Sequence, residues 1–395
     1  MCGITLCFSP HRHSPSDSLL EMANKPTSQP QSVASFRYCG LNNLNKCCYS
    51  NACLQVLYTL NKTRNYLMDT PHCGQFHSIL SELFRQMAQQ PLIPSANGKL
   101  HFYPAISPIK FNSLFRLLRP EFVRGQEQDA EEFLIFLLDV LHQESNVARR
   151  RPNPSTTGTP QSAQEAWQHH TTFIDDSTLS RIFMGQIESL LTCLSCGHQS
   201  YTWSCFWQLQ LDIPTMAKVP TISDCIRQFM AEEVSNEYLM NLHECWLNRF
   251  CSLYLQTLIA DAAPTCYGCA QKLGSGKKQT IRHGPVYLIV HLKRFSANGQ
   301  KIHSKVTFEE RILLANRYYQ LSSCVLHCGT AESGHYMTIY WESANKWVLF
   351  DDSVVSFYYN DDQAREFLEL YGYIAFYRAL VITWTSLPIQ MWQIK

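Results

Sequence analysis

Apolar residues change their period along this chain, and that change restricts the fold more than any other feature of the sequence. Between Gly40 and about Glu144 they recur at steps of three and four, the period of amphipathic helices. Tyr49, Ala52, Cys53, Val56, Leu57 and Leu60 form one such stripe. A segment around Phe76 to Met87 forms a second, and Phe133, Phe136, Leu137, Val140 and Leu141 a third. After Gly284-Pro285 the pattern turns to strands. Val286 to Phe295, Ser323 to His327, Gly334 to Tyr340 and Lys346 to Asp352 are β-branched and aromatic runs broken by glycine and turns. Helices first and strands last argue for an α+β fold, not an alternating α/β one.

A chain of 395 residues holds two or three domains or one elaborate one. A net charge of +1 argues against a general nucleic-acid or membrane-surface binder. No run reaches the ~18 apolar residues of a membrane span; the nearest, Tyr371 to Trp384, is short and interrupted by Arg378. Seventeen cysteines are an odd count, and the start lacks the basic segment and apolar run of a signal peptide. Both point to a reducing compartment, cytoplasmic or nuclear, with cysteines serving as core residues, metal ligands or a nucleophile. Residues 1–35, rich in Ser, Pro, Gln and His, read as a mobile N-terminal segment. Met1-Cys2-Gly3-Ile4 resembles the start of class II glutamine amidotransferases, but only over those four residues. Arg149 to Ala163 reads as a linker.

Cys47 and Cys48 sit where the first helix should begin, behind an Asn-rich loop. The positive end of the helix dipole and its unpaired N–H groups suit an anionic sulfur nucleophile. His291, His327 and His335 are the candidate bases. Histidines inside strands are more often hydrogen-bonded core residues, which is the reading for His291 and His327. Gly334 sets His335 apart, because glycine permits a tight turn that leaves the imidazole approachable. Asp351 ends a strand that could lie beside the one carrying His335. Cysteine, histidine and carboxylate far apart in sequence meet only on folding. At the entrance to the third helix, Asp129 reads as an N-cap with Glu132 as its capping-box partner, or both as anchors for a basic peptide.

Cys193-Leu-Ser-Cys196 and Cys266-Tyr-Gly-Cys269 are two knuckles that can close a tetrahedral four-cysteine zinc site. Such a site is structural, since no ligand position stays open for water. Their separation exceeds the roughly 15–20 residues of a compact ribbon, which implies an insertion. Leu239, Leu242, Trp246, Phe250 and Leu253 make a helical stripe within it.

Taken together, the motifs resemble those of the ubiquitin-specific proteases, papain-like cysteine deubiquitinases with a helical thumb, a β-rich palm and zinc-bearing fingers. The family's cysteine box reads Gly-Leu-x-Asn-Leu-Gly-Asn-Thr-Cys-Tyr-x-Asn-Ser-x-Leu-Gln, and Gly40, Leu41, Asn43, Leu44, Cys48, Tyr49, Asn51, Leu54 and Gln55 resemble it. That register selects Cys48 as nucleophile and puts Asn43 at the oxyanion-hole asparagine. Gln128, Asp129, Ala130, Glu132, Phe133 and Leu134 match a second box. The zinc knuckles, His291-Leu-Lys-Arg-Phe295, Gly334-His335-Tyr336 and Trp347-x-x-Phe350-Asp351-Asp352 follow in family order.

The resemblance implies a catalytic domain over 36–380, with a thumb at about 36–175, fingers at about 180–285 bearing a helical insertion at 234–263, a palm at about 285–380, and a tail at 381–395. It implies hydrolysis of the bond after ubiquitin's C-terminal glycine by Cys48, His335 and Asp351, with Asn43 at the oxyanion and Asp352 as polar support. Asp129, Glu132 and Gln128 are implied at the Leu-Arg-Gly-Gly tail of ubiquitin, with Tyr336 walling the slot. One structural Zn2+ on Cys193, Cys196, Cys266 and Cys269 is implied, and no catalytic cofactor. Ubiquitin and ubiquitinated proteins are the implied partners, and an activating protein is compatible with the resemblance. Asn45-Lys46-Cys47 replaces the family's Gly-Asn-Thr, where glycine supplies a positive φ; asparagine is the best substitute. The other reading is a ubiquitin-binding scaffold of the same fold whose altered loop has cost it turnover.

Overall fold

Segments with a helical period and segments with a strand period bury their apolar faces in different ways, and the protein sorts them into separate layers. The computed structural model describes residues 36–71, 73–90, 104–122, 128–148, 160–215, 218–235, 266–270, 275–296, 299–330 and 333–380. The N-terminal third contributes β1 (Gly40–Leu41), α1 (Cys48–Thr59), α2 (Asn61–Asp69), α3 (Gln75–Gln89), β2 (Ala105–Ile106), α4 (Ile109–Leu118), α5 (Ala130–Ser145), α6 (Ala163–Phe173) and α7 (Thr178–Phe183). The middle adds β3 (Gly185–Cys193), β4 (Gln199–Phe206), β5 (Leu209–Leu211), α8 (Ile222–Phe229), β6 (Glu233–Ser235) and β7 (Ser275–His283). The last part holds β8 (Tyr287–Leu292), β9 (Arg311–Leu314), β10 (Arg317–Gly329), β11 (Gly334–Ser343), β12 (Lys346–Asp351), β13 (Val354–Tyr358), α9 (Asp361–Tyr371) and β14 (Gly372–Ala379).

The large sheet runs β13-β12-β11-β10-β14-β8-β5, with β9 also paired to β10. Its ladders are antiparallel except β5 on β8. All six residues of β8 are buried, as a strand covered on both faces must be. A fully buried Leu, Ile or Val contributes ~1.5–3 kcal/mol relative to exposure, enough to hold that run inside the sheet between β14 and β5. The apolar run that came nearest to a membrane span supplies β14, another interior strand. Among the described residues, no helix is long and apolar enough to cross a membrane.

A second sheet, β4-β3-β7-β6, carries the cysteine knuckles. The range expected for the fingers does not form one body. β5 and α8 fall inside it, yet Leu209, Leu211, Ile222, Cys225 and Ile226 join the core of the large sheet. Val234 and Ser235 belong to strand β6, paired with β7, rather than to a helix. The rest of the expected helical insertion, the N-terminal segment 1–35 with Cys2, most of the linker and the 381–395 tail lie outside the described residues. Ala163, at the linker's end, already begins α6, capped by Ser162.

α1 is the axis of the assembly. Every one of its twelve residues is buried, not only the stripe that the period picks out. It packs on β11, β10 and β12 and against α5 and α2. Its polar residues therefore need internal partners. Asn51 donates to the carbonyls of Leu41 and Asn42, Gln55 to that of Cys39, and Thr59 to that of Val56. Thr338 on β11 donates to the Ala52 carbonyl at 2.7 Å, tying helix to sheet.

Candidate active site

Cys47 is the N-cap of α1 and Cys48 its first residue. The preceding loop curls back so that Cys47 N–H donates to Asn43 Oδ1 at 2.9 Å and Leu44 N–H to Cys47 Sγ at 3.0 Å. Cys47 sulfur is thus an internal acceptor, and burial pushes its thiol pKa up. Asn45 takes a left-handed φ of 76°, as its replacement of glycine requires, and Lys46 does so too, at 56°. Left-handed geometry costs an ordinary L-residue about 1–2 kcal/mol, less for asparagine. Lys46→Gly is therefore expected to be neutral or slightly stabilising. Lys46→Val should lose ~1 kcal/mol or more, read by denaturant unfolding.

His335 opens β11 and Asp351 closes β12, adjacent antiparallel strands. His335 Nε2 lies 2.6 Å from Asp351 Oδ1, which leaves Nδ1 for the thiol. Contact with Cys48 is the largest influence on His335; burial opposes it, Asp351 adds to it, and the imidazole pKa rises from 6.5 to about 9. Asp352, at φ 49°, faces the loop instead. Its carboxylate accepts from Asn43 Nδ2 and Asn51 Nδ2, each at 2.8 Å. Its carbonyl accepts from Leu41 N–H at 2.8 Å. Gly40 is required beside it, because a Cβ there would collide with the Ser353 backbone. Gly334 has a different use from the tight turn expected of it. A Cβ at that position would run into the His327 ring, so glycine there makes room for a second imidazole.

Asp129 caps α5, accepting from Glu131 N–H at 2.6 Å, while its other oxygen accepts from Tyr373 OH at 2.8 Å. Burial raises its carboxyl pKa, opposed first by nearby His291. Glu132 is not the capping-box partner: it is exposed, and its carboxylate meets Arg119 at 2.9 Å. The acid that turns inward is Glu131, which accepts from Gln208 and, at 3.1 Å, from Gln210 of β5. Gln128 is half-buried next to Asp129. Tyr336 is only 5% exposed, so it underlies the slot more than it walls it.

Around Asp129 stands an aromatic cluster. Tyr373 meets His291 edge-on at 4.8 Å, Phe295 at 5.8 Å and Tyr336 at 6.2 Å, and His327 packs on Tyr336 at 4.6 Å. Burial takes both His291 and His327 down to about 4, so both are neutral at physiological pH. They are core residues as expected, yet among the described residues neither ring nitrogen of His291 nor Nδ1 of His327 has a hydrogen-bond partner. An acid, two neutral imidazoles and three aromatic rings thus form one closely packed cluster, with Tyr336, Tyr373, His291 and His327 all buried.

In the second sheet, Cys193 ends β3, Cys196 lies in the turn to β4, and Cys266 and Cys269 flank the turn ahead of β7. Their sulfurs all lie within 4.8 Å of one another. Cys193 and Cys269 are 3.9 Å apart, and Cys196 and Cys266 3.6 Å. A tetrahedron with Zn–S bonds of ≈ 2.3 Å has edges of about 3.8 Å. Each knuckle closes on a left-handed residue, Gly197 at 71° and Ala270 at 56°.

The family described as "Ubiquitin carboxyl-terminal hydrolase" matches residues 39–377. The chain belongs to that family. Its relatives include ubiquitin carboxyl-terminal hydrolase 2 of Bos taurus, 32% identical over 344 residues, covering 80% of this chain and 52% of the relative. Ubiquitin carboxyl-terminal hydrolase 21 of Homo sapiens is 28% identical over 383 residues, covering 86% and 61%. The chain thus spans about half the length of the first of these relatives. Among solved structures, a SAGA DUB module of Ubp8, Sgf11, Sus1 and Sgf73 bound to monoubiquitin is similar in fold. Its TM-score is 0.63 at 19% identity, over 92% of this chain and 74% of that one.

Within this chain, the residues singled out from the sequence near the cysteine loop come together: Asn43, Cys48, His335, Asp351 and Asp352. Sequence reasoning assigned no role to Asn51, which braces Asp352, or to Phe295 and Tyr373 of the aromatic cluster. Asn51 and Phe295 stand inside recognised motifs and carried a signal. Tyr373 did not, being one tyrosine in an apolar strand.

Proposed function

We propose that the protein is a thiol-dependent deubiquitinase that hydrolyses the peptide or isopeptide bond after ubiquitin's C-terminal glycine. The observation that carries this reading is the Asp351–His335–Cys48 chain. His335 takes the proton of Cys48, and the sulfur attacks the glycine carbonyl carbon. Asp351 holds the imidazole's orientation and stabilises its positive charge. The Cys48 backbone N–H and Asn43 Nδ2 stabilise the tetrahedral oxyanion. Asn43 has two N–H groups, one held by Asp352 and the second available; such a donor is worth about 2.7–4 kcal/mol. His335 then protonates the leaving amine as the C–N bond breaks. Water, deprotonated by His335, hydrolyses the thioester and frees Cys48.

The aromatic cluster backs a slot that suits two glycines and excludes larger side chains, while Asp129 supplies negative charge for the tail's arginine. Glu132, at the mouth, exchanges Arg119 for a substrate guanidinium. The four cysteines hold one structural Zn2+ whose role is to fix the ends of β3 and β7 together. Elemental analysis is expected to find one zinc per chain, lost in both Cys196→Ser and Cys269→Ser.

A ubiquitin probe bearing a C-terminal electrophile tests the reading. Mass mapping should place the adduct on Cys48, and a ubiquitin–fluorophore conjugate should be turned over. Binding of ubiquitin with neither labelling nor turnover supports the scaffold reading instead.

A further inference from the structure

Arg294 is a charged side chain with no exposure at all, and its partners are carbonyls, not carboxylates. Nε donates to Gly372 O at 2.7 Å, and Nη1 to Ile302 O at 3.2 Å and Ser304 O at 2.8 Å. Nη2 donates to Glu369 O at 3.2 Å. Gly372 and Glu369 lie at the C-terminal end of α9, where the helix dipole favours a cation. Desolvating a guanidinium without a counter-ion is costly. Stability alone is therefore a poor reason for this residue, and geometry is a better one.

The carbonyls it gathers belong to separate segments that adjoin the aromatic cluster around Asp129. Phe295 follows Arg294 directly. Gly372 precedes Tyr373, whose hydroxyl reaches Asp129. Ile302 N–H donates back to Arg294 O at 2.6 Å. Lys301, bridged to Phe295, donates through Nζ to the His327 carbonyl at 2.7 Å. One planar group with donors in a fixed fork thus sets Phe295, Tyr373 and His327 relative to one another. It does so from behind, with no contact to Cys48, His335 or Asp351.

We infer that Arg294 is a positioning residue for the substrate's C-terminal tail, fixing the spacing of Phe295, Tyr373 and His327. This rests on the deubiquitinase reading above. Arg294→Lys keeps the charge but loses the fork, so it should raise KM for a ubiquitin–fluorophore conjugate by about tenfold, with kcat within about threefold. A Leu-Arg-Gly-Gly fluorophore peptide, which engages only the tail slot, should lose kcat/KM by the same factor. The rate at which iodoacetamide alkylates Cys48 should not change, since that reaction needs only the thiol and His335.

A fall in kcat at unchanged KM, or alkylation slowed in step with turnover, means a general structural role and overturns the inference. If Arg294→Lys does not fold, Arg294→Gln, which can still donate to part of the same carbonyl set, is measured in the same way and must raise KM; an unchanged KM overturns the inference equally. Wild type that turns over neither substrate defeats the deubiquitinase reading by itself. In that case the dissociation constant for ubiquitin, compared between wild type and Arg294→Lys, still decides the role of Arg294.

Discussion

Cys48→Ala is expected to lower kcat on a ubiquitin–fluorophore conjugate by on the order of a million-fold, the scale of losing a nucleophile outright. Cys47→Ala should stay within about tenfold of wild type. The two sulfurs are adjacent in the chain, but they face different surroundings. Cys48 meets the imidazole of His335. Cys47 is turned into the loop, where it accepts the Leu44 N–H and where burial disfavours its thiolate. Removing that acceptor leaves a buried N–H short of a partner, which costs ~1–3 kcal/mol. The Cys47 variant should therefore unfold at lower denaturant while keeping its active site. Comparable losses of turnover in both variants would count against Cys48 as the sole nucleophile.

Asp351→Asn is expected to reduce kcat by up to about ten-thousand-fold, the loss seen when the acid of a catalytic triad becomes an amide. It also has a signature in pH. The reactive pair needs a protonated His335, whose pKa is raised to about 9 by Cys48 first and Asp351 after it. In wild type, kcat/KM should hold through neutral pH and fall as pH rises through about 9. Without the Asp351 carboxylate, the alkaline limb should move to lower pH. The same shift contributes stability with a definite sign. A folded-state pKa above the unfolded value means the contribution is complete below 6.5 and lost as pH rises through about 9. His335 and Asp351 are each more than a third exposed, so solvent screening keeps that contribution small. An unchanged limb in Asp351→Asn would sever Asp351 from the titration of His335.

The loop between Asn42 and Cys47 is where this chain departs most from the motif it resembles. Asn45 at positive φ was legible, because glycine's usual work at a turn is conformational. Lys46 at positive φ was not, since nothing in a lysine announces it. The capping role of Asp129 was legible from residue order. The exchange of Glu132 for Glu131 as the inward acid was not, because neighbouring helical residues differ by about 100° in direction. Only packing against Gln208 and Gln210 chooses between them.

The sequence by itself determined the α+β class, the cysteine pair at a helix start, the histidine and carboxylate on two late strands, and the paired cysteine knuckles. Each of these rests on local rules: apolar period, capping, turn residues and the reach of two sulfurs across a short turn. Tertiary structure alone decided that all of α1 is buried, that β5 and α8 leave the fingers for the large sheet, and that Asp352 braces the loop through Asn43 and Asn51. It also decided that Arg294 gathers the carbonyls of Gly372, Ile302, Ser304 and Glu369. These are contacts between residues up to 309 positions apart, as for Asn43 and Asp352. Such contacts form only when sheet order and register bring the strands together, and no local rule carries that information.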